Sequence, residues 1–498
     1  MSRRRVVAIV GVLLAVSACG EWRPDLPIIR VGSKSFTESY IVAEIVAQII
    51  DETGEAHAER RLGLGGTGIL YTALAAGDID VYPEYTGTIG QAILKDPSAT
   101  SVEVLRDRLK PLGLTLGTAL GFDNTYALAL RRNRAQHLAV RTISDLARHP
   151  ALTAAFDPGF LEREDGWPGL RRHYGLRLAD VRIMEHALTY AALASGRVDL
   201  IDVFSTDGQL ERLDLTLLVD DRRFFPDYKA VLLARQSMPA RHPRTWAALE
   251  QRLGGRLDTA AMSRLNALVD LERRSFADVA AAFLQRAGPA RGADRQLVRL
   301  TLEHLGLVTV ALTVAVLVGL PLGILAARRR RLAQLELMGV SVLQTIPGLA
   351  LLAFMIPLFG IGKLPALVAL SLYALLPIVR NTVAGLGSLD PRLLEMTAVL
   401  GIQGWRRLAW IELPMASITI LAGIKTSAVL TVGTATLAAF IGGGGYGTLI
   451  VTGLALNDVA TILAGAIPSA LMALAIHGAF EALDRVLVPR ALRRLPLD

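Results

Sequence analysis

With 498 residues, 52% of them apolar, and a mean hydropathy of +0.42, the chain is too long for one ordinary domain and too apolar for a wholly soluble protein. Its formal net charge of +8 comes from arginines, many grouped at the ends of apolar runs: Arg328 to Arg331, Arg406, Arg407, Arg490, Arg493 and Arg494. That is the positive-inside pattern of a membrane protein, and with no basic stretch interleaved with aromatics it excludes nucleic acid as a partner.

The first segment is a leader. Arg3-Arg4-Arg5 is a charged start and Val6 to Ala18 an apolar run, long enough for a signal peptide and short of the ~20 residues that span a bilayer. It ends at Cys19, the only cysteine, so no disulfide forms within the chain. The stretch resembles a bacterial lipobox, which implies lipidation of Cys19. The other readings are an ordinary signal peptide or an uncleaved anchor. Under each, the following domain is expected outside the cytoplasm.

Residues 20–290 carry most of the acidic groups and read as a soluble α/β domain. "IIRVGS" is a strand, "TESYIVAEIVAQIIDETG" a helix with Thr37 as a possible N-cap, "HAERRLGL" a strand, "GGTGILYTALAAGD" a loop and helix, and "IDVYPEY" a third strand. Alternation of this kind predicts a parallel sheet, with ligands beyond the carboxyl ends of its strands. The pattern restarts over 141–220 and is followed by a return segment at 224–235. Two lobes are expected, about 28–121 plus 225–287 and about 125–222, with a cleft that closes by hinge motion.

The post-strand segments hold the candidate site. They bring the aromatics Phe36, Tyr40, Tyr82, Tyr85, Tyr126, Trp167 and Phe204, the acids Glu38, Glu84, Asp123, Asp157 and Asp207, and the donors Ser35, Thr37, Thr67, Thr86, Asn124, Ser205 and Thr206. Aromatic faces attract cations, and a group of them suits a quaternary ammonium. Helix starts at Thr37 and Thr67 offer N–H groups to a carboxylate. In "YPEY", placed at a turn after the third strand, the two tyrosines read as cage walls and Glu84 as a charge partner or hinge anchor. Each ring is also open to a packing role, and Glu38 to that of a first-turn helix acid.

"VGSKSFTE", "LGGT", "DIDVYPEYTGT", "GFDNTYALA", "FLEREDGWPGL", "VDLIDVFSTDG" and "FFPDY" together resemble the substrate-binding proteins of osmoprotectant ABC importers for glycine betaine, carnitine and choline. Relatives in that family bind ergothioneine, a betaine-type histidine derivative. The resemblance implies a two-lobed (type II) periplasmic-binding-protein fold and a quaternary ammonium ligand without saying which.

Residues 291–498 are the membrane half. Apolar runs at 305–327, 335–358, 364–386, 415–441 and 459–482 predict five spans. With the binding domain outside, the arginine groups and the loop 387–414 fall inside. That loop is read as a helix, a glycine turn and a second helix stopped at Pro414. It resembles the EAA coupling motif of ABC permeases, with Glu395, Ala398, Gly401, Ile411, Leu413 and Pro414 at the family's spacing and Met396-Thr397 as a departure. Lys425, early in the fourth span, is read either as functional or as snorkelling to the interface.

No G-x-x-x-x-G-K-[ST] occurs, so ATP is expected to be used by a separate ABC ATPase subunit docking on the loop. No catalytic constellation, metal site or cofactor is expected in this chain. The expected product is the binding and permease subunit of an osmoprotectant importer in a bacterial inner membrane, a homodimer among membrane lipids. Ergothioneine import is the alternative. A membrane-anchored enzyme would need a nucleophile or acid/base pair in the cleft, and the cleft loops are read as offering carboxylates without His or Cys. A chemosensory receptor would need a larger cytoplasmic domain.

Overall fold

The computed structural model describes residues 26–96, 98–285, 293–328, 345–456 and 458–487. The leader with Cys19, Arg329 to Arg331, the first ten residues of the expected second span and the basic C-terminal tail lie outside the described residues. The chain divides into two compact units, one of Arg23–Arg291 with Val451–Ala460 and one built on Gly292–Ile450 and Thr461–Asp498.

The first unit holds two five-stranded sheets. Among its elements, in chain order, are β1 (Ile28–Gly32), α1 (Thr37–Thr53), β2 (His57–Arg61), α2 (Thr67–Ala76), β3 (Val81–Tyr85), β4 (Leu114–Leu116), β5 (Tyr126–Arg131), β6 (Thr153–Phe156), β7 (Asp180–Ile183), α3 (His186–Ala194), β8 (Leu200–Phe204), β9 (Leu215–Leu217), β10 (Ala230–Arg235) and α4 (Thr259–Asp270). The sheet orders are β2-β1-β3-β10-β4 and β7-β6-β8-β5-β9. This is the two-lobed periplasmic-binding-protein arrangement.

The sheets are mixed, not parallel throughout. β1 runs parallel to β2 and β3, and β6 parallel to β7 and β8. β5 and β10 are antiparallel to both of their neighbours. These are the strands that follow a crossing between lobes. A chain arriving at the ligand-facing ends of the parallel strands must run away from them, so it enters the sheet reversed.

α1 is buried from Glu38 through Ile50. Its isoleucines at 41, 45 and 49 meet the sheet, and α4 residues such as Met262 and Val269 complete the same core; a helix apolar on most of its surface is stable only when covered. Thr37 is not its cap. Phe36 occupies that position with extended backbone and no side-chain cap bond, and the Thr37 hydroxyl donates instead to Asp270 Oδ1 at 2.6 Å.

"YPEY" is strand, not turn. All five residues of β3 are buried, and the next helical turn begins at Thr86. Thr86 N–H donates to Lys229 O at 3.0 Å, so backbone parity turns the Pro83 nitrogen toward β1. There the ladder has ended, its one register pair being Val31↔Val81. The missing N–H therefore removes no ladder bond. The same parity separates the tyrosines: Tyr85 packs in the core that contains α1, whereas Tyr82 and Glu84 project to the opposite face.

In the second unit, α5 (Ala293–Arg328), α6 (Gly348–Phe359), α7 (Lys363–Gly387), α8 (Pro391–Val399), α9 (Leu413–Ala435) and α10 (Val459–Leu487) form a helical bundle. Four segments are long and apolar enough to cross a membrane: Gln296–Arg328, Lys363–Gly387, Gly404–Ile441 and Val459–Asp484. They match four of the five expected spans; the expected second span is represented by the shorter α6. Small residues let helices close in: a Cβ on Gly323 would stand 2.6 Å from Thr382, and one on Gly423 2.6 Å from Asn381 and Pro377 O.

Candidate functional site

A cavity of about 480 Å³ lies in the binding unit. Ser35, Phe36, Thr37, Glu38, Thr67, Tyr85, Asn124, Tyr126, Phe204 and Asp207 line it. Tyr82, Glu84, Thr86, Ser205 and Thr206 stand behind the lining. Tyr82 and Glu84 are fully buried. Thr86 donates to Asp227 O at 3.1 Å, and Ser205 Oγ accepts from Thr125 N–H at 3.1 Å, so both brace the crossings.

The rings arrive by register. Tyr126, first in β5, pairs with Phe204, last in β8, and their centroids lie 5.2 Å apart. Phe36, the residue before α1, is 5.3 Å from Phe204 and 6.4 Å from Tyr85. Tyr228, on the return segment, meets Tyr126 edge-on at 5.6 Å. The result is an unbroken series Tyr85–Phe36–Phe204–Tyr126–Tyr228 along the cavity, drawn from both lobes. One cation is already against it: Lys34 Nζ sits 5.2 Å from the Tyr85 centroid.

The charged lining is unequal in sign. Each cation is paired: Lys34 with Glu84, Arg163 with Asp165, and His186 with Asp207 at 2.8 Å. Glu38, Asp157, Glu162, Glu185 and Asp270 also line the cavity, leaving acid in surplus. Burial pushes the Lys34 ammonium down, offset in part by Glu84. Burial lifts Glu38 to about 7, against hydrogen bonds from Thr206, Tyr85 and Asn124. It lifts Asp270 to about 6, against the bond from Thr37, and raises Glu185 with help from Asp157. His186 is the exception: burial disfavours its charge, but Asp207, Asp202 and Asp157 outweigh burial and carry it to about 10. Its ring centroid lies 4.5 Å from that of Phe204.

His186 contradicts the expectation of a cleft without histidine. It follows β7 in the same post-strand position that marked the other loops, but β7 is half exposed and lacks an apolar run. Asp157 is one of the acids expected from the post-strand loops, whereas Arg163 and Tyr228 lie in quoted motifs with no role expected of them. Asp270, at the end of α4, and Tyr190, within α3, carry no sequence signal of a site.

In the helical unit, α8 starts with the Asp390 side chain accepting from Arg392 N–H and ends at Gly401, whose φ of +74° suits glycine. Gly404–Arg407 and a wider-wound turn Leu408–Glu412 then run directly into α9. The second helix is therefore not stopped at Pro414. Pro414 falls in the first turn of α9. Glu395, Ala398 and Gly401 are exposed, with Met396, Val399, Leu400 and Trp405 exposed around them; Leu413 and Pro414 are half-buried. Glu412, which had not been singled out, binds Arg407 at 2.7 Å and Arg328, the last residue of α5, at 3.1 Å. Lys425 pairs with Glu481 of α10 at 3.1 Å.

Two family models match. The substrate-binding domain of ABC-type glycine betaine transport systems covers residues 27–286, and the inner membrane component of binding-protein-dependent transport systems covers 319–493. The chain is 37% identical over 265 residues to the ergothioneine transport permease/ergothioneine binding protein EgtU of Helicobacter pylori, which is 52% of this chain and 47% of that protein; the match thus spans about half of that relative. It is 43% identical over 202 residues to the osmoprotectant import permease protein OsmW of Salmonella typhimurium, 40% of this chain and 94% of that one. Over 273 residues it is 36% identical to a glycine-betaine-binding protein of Pseudomonas aeruginosa, 52% of this chain and 87% of that one.

Proposed function

Because the chain belongs to the family of substrate-binding domains of ABC-type glycine betaine transport systems, we propose that it is the fused binding and permease subunit of an ATP-driven importer for a quaternary ammonium solute such as glycine betaine, choline or carnitine. The observation that carries this reading is the ring series Tyr85–Phe36–Phe204–Tyr126–Tyr228 along one cavity whose acids outnumber its cations. Aromatic faces and surplus carboxylates both favour a ligand with a fixed positive charge. Tyr82 and Glu84 support it from behind, Glu84 by holding Lys34. Import of ergothioneine is the second reading. It is favoured by the polar wall of Asp157, Glu185 and His186 in the same cavity, which suits a ligand with additional N–H groups.

The domain plan proposed is a leader over 1–19, with Cys19 lipidated, a binding domain over 20–290 outside the inner membrane, and a permease over 291–498. The exposed face around Glu395 would receive a separate ATPase subunit. Two copies of the chain would assemble, each supplying one bundle to a shared pathway.

The test of the ligand is titration of the purified full chain with glycine betaine, choline, carnitine and ergothioneine, and with 3,3-dimethylbutanol, the neutral isostere of choline. At least one trimethylammonium compound is expected to bind while the isostere does not. Equal binding of the isostere, or no binding of any of the four, overturns the reading. Orientation has its own measurement. In sealed cells an impermeant maleimide is expected to label Gln136→Cys and not Gln403→Cys, both exposed positions. Labelling of Gln403→Cys would sink the proposed topology.

A further inference from the structure

Glu38 was a candidate ligand contact, but its carboxylate is already committed. Oε1 accepts from the Tyr85 hydroxyl at 2.5 Å and from Asn124 Nδ2 at 2.9 Å. Oε2 accepts from the Thr206 hydroxyl at 2.5 Å, with Asn266 Nδ2 at 3.5 Å. The residue is 2% exposed. Its partners come from different parts of the binding unit. Tyr85 ends β3 in lobe one. Asn124 lies on the crossing into lobe two. Thr206 follows β8 in lobe two. Asn266 sits on α4 and also donates to Thr206 O at 2.8 Å.

The surroundings are tightly fitted. A Cβ on Gly208 would stand 2.7 Å from Ala267 N, so the loop after β8 rests directly on α4. Ser205 N–H donates to Thr125 O at 2.9 Å, and Asn124 N–H to Tyr228 O at 3.1 Å. The two crossings and the loop after β8 thus meet where Glu38 reaches them. Two cavity rings are tied to the same point. Tyr85 is held through its hydroxyl, and Phe204 lies two residues before Thr206.

We infer that Glu38 is a positioning residue at the hinge: its carboxylate gathers donors from both lobes and the crossing, and thereby sets the rest angle between the lobes and the spacing of the rings. It need not touch the ligand to do this. A carboxylate is suited to the role because it is acceptor-only when ionised and can take all of these donors at once. A protonated carboxyl turns one oxygen into a donor facing other donors. The titratable groups that face it are the Tyr85 hydroxyl and Asp207; Asn124, Thr206 and Asn266 do not titrate. Since burial lifts Glu38 to about 7, the hub is intact above that pH and loosens below it.

The experiment is independent of ligand identity, so its outcome is separable from the import reading. Spin labels are placed on the full chain by Glu103→Cys in lobe one and Arg177→Cys in lobe two, both exposed, with Cys19→Ser. The label–label distance distribution is measured without ligand at pH 6 and pH 8. The parent is expected to shift between the two pH values. Glu38→Gln is expected to deplete the pH 8 arrangement about tenfold, the effect of losing one charge-assisted hydrogen bond, and to abolish the pH response. Thr206→Val, which removes one lobe-two donor, should move the distribution in the same direction. The inference is overturned if Glu38→Gln lowers the melting temperature but leaves the distribution and its pH response as in the parent. If Glu38→Gln does not fold, an unchanged distribution in Thr206→Val overturns it.

Discussion

Replacing Tyr126 by leucine is expected to weaken binding of a trimethylammonium ligand about thirtyfold, and replacing it by phenylalanine to cost far less. A desolvated cation–π contact contributes roughly 2 kcal/mol, and 1.4 kcal/mol is about tenfold in affinity. Tyr126 is the ring on which this rests, because it joins the lobe-two ring Phe204 to the return-segment ring Tyr228. It also packs on Phe160 at 5.0 Å, so leucine will disturb the core to some degree. Calorimetric titration is therefore paired with melting curves of the ligand-free chain. If the phenylalanine and leucine variants bind equally well, or if every loss of affinity tracks a loss of stability, Tyr126 is a packing residue and the ligand is read elsewhere in the cavity.

The second large effect is expected in the helical unit. Glu395→Arg should abolish ligand-stimulated ATP hydrolysis in the assembled transporter and leave ligand affinity unchanged. Glu395 makes no ion pair among the described residues and stands exposed on α8 beside exposed Met396, Val399 and Leu400. The exposed apolar surface around this acid is what a partner would cover, and reversing the sign of the acid opposes a partner whose charge complements it. Normal stimulation in the variant would remove Glu395 from the coupling face. Glu412 differs, being buried and holding Arg407 and Arg328. Changes there would act on the permease itself.

Much of this was legible because periodicity and the ends of strands carry strong signals. α1 reads directly from its isoleucine spacing, and the post-strand rule led to Phe36, Thr67, Asn124, Tyr126 and Phe204, all of which line the cavity. Three kinds of information were not in the pattern. The face of a strand residue depends on parity, which puts Tyr82 and Tyr85 on opposite sides of β3 although they are close in sequence. Strand direction depends on where the chain enters a sheet, which reverses β5 and β10. Side chains that reach the cavity from the end of a helix, such as Asp270, or after a weak strand, such as His186, leave no local mark.

The position of β10 between β3 and β4 bears on how the domain is made. Lobe two draws its strands from one continuous stretch, Tyr126 to Leu217, and has every sheet partner once that stretch has emerged. Lobe one does not. Its sheet has a vacant slot from the time β4 is synthesised until Ala230–Arg235 arrives, after the whole of lobe two. Contacts of such sequence separation form slowly because a long loop must first be closed. The N-terminal segments thus wait with β3 and β4 unjoined while lobe two condenses, and the exposed strand edges of that interval are the species most open to mispairing. The segment "FFPDYKAVLLAR", which also carries the ring Tyr228, acts as the closing piece of the assembly, and translation that stalls before it would leave a folded lobe two attached to an open lobe one.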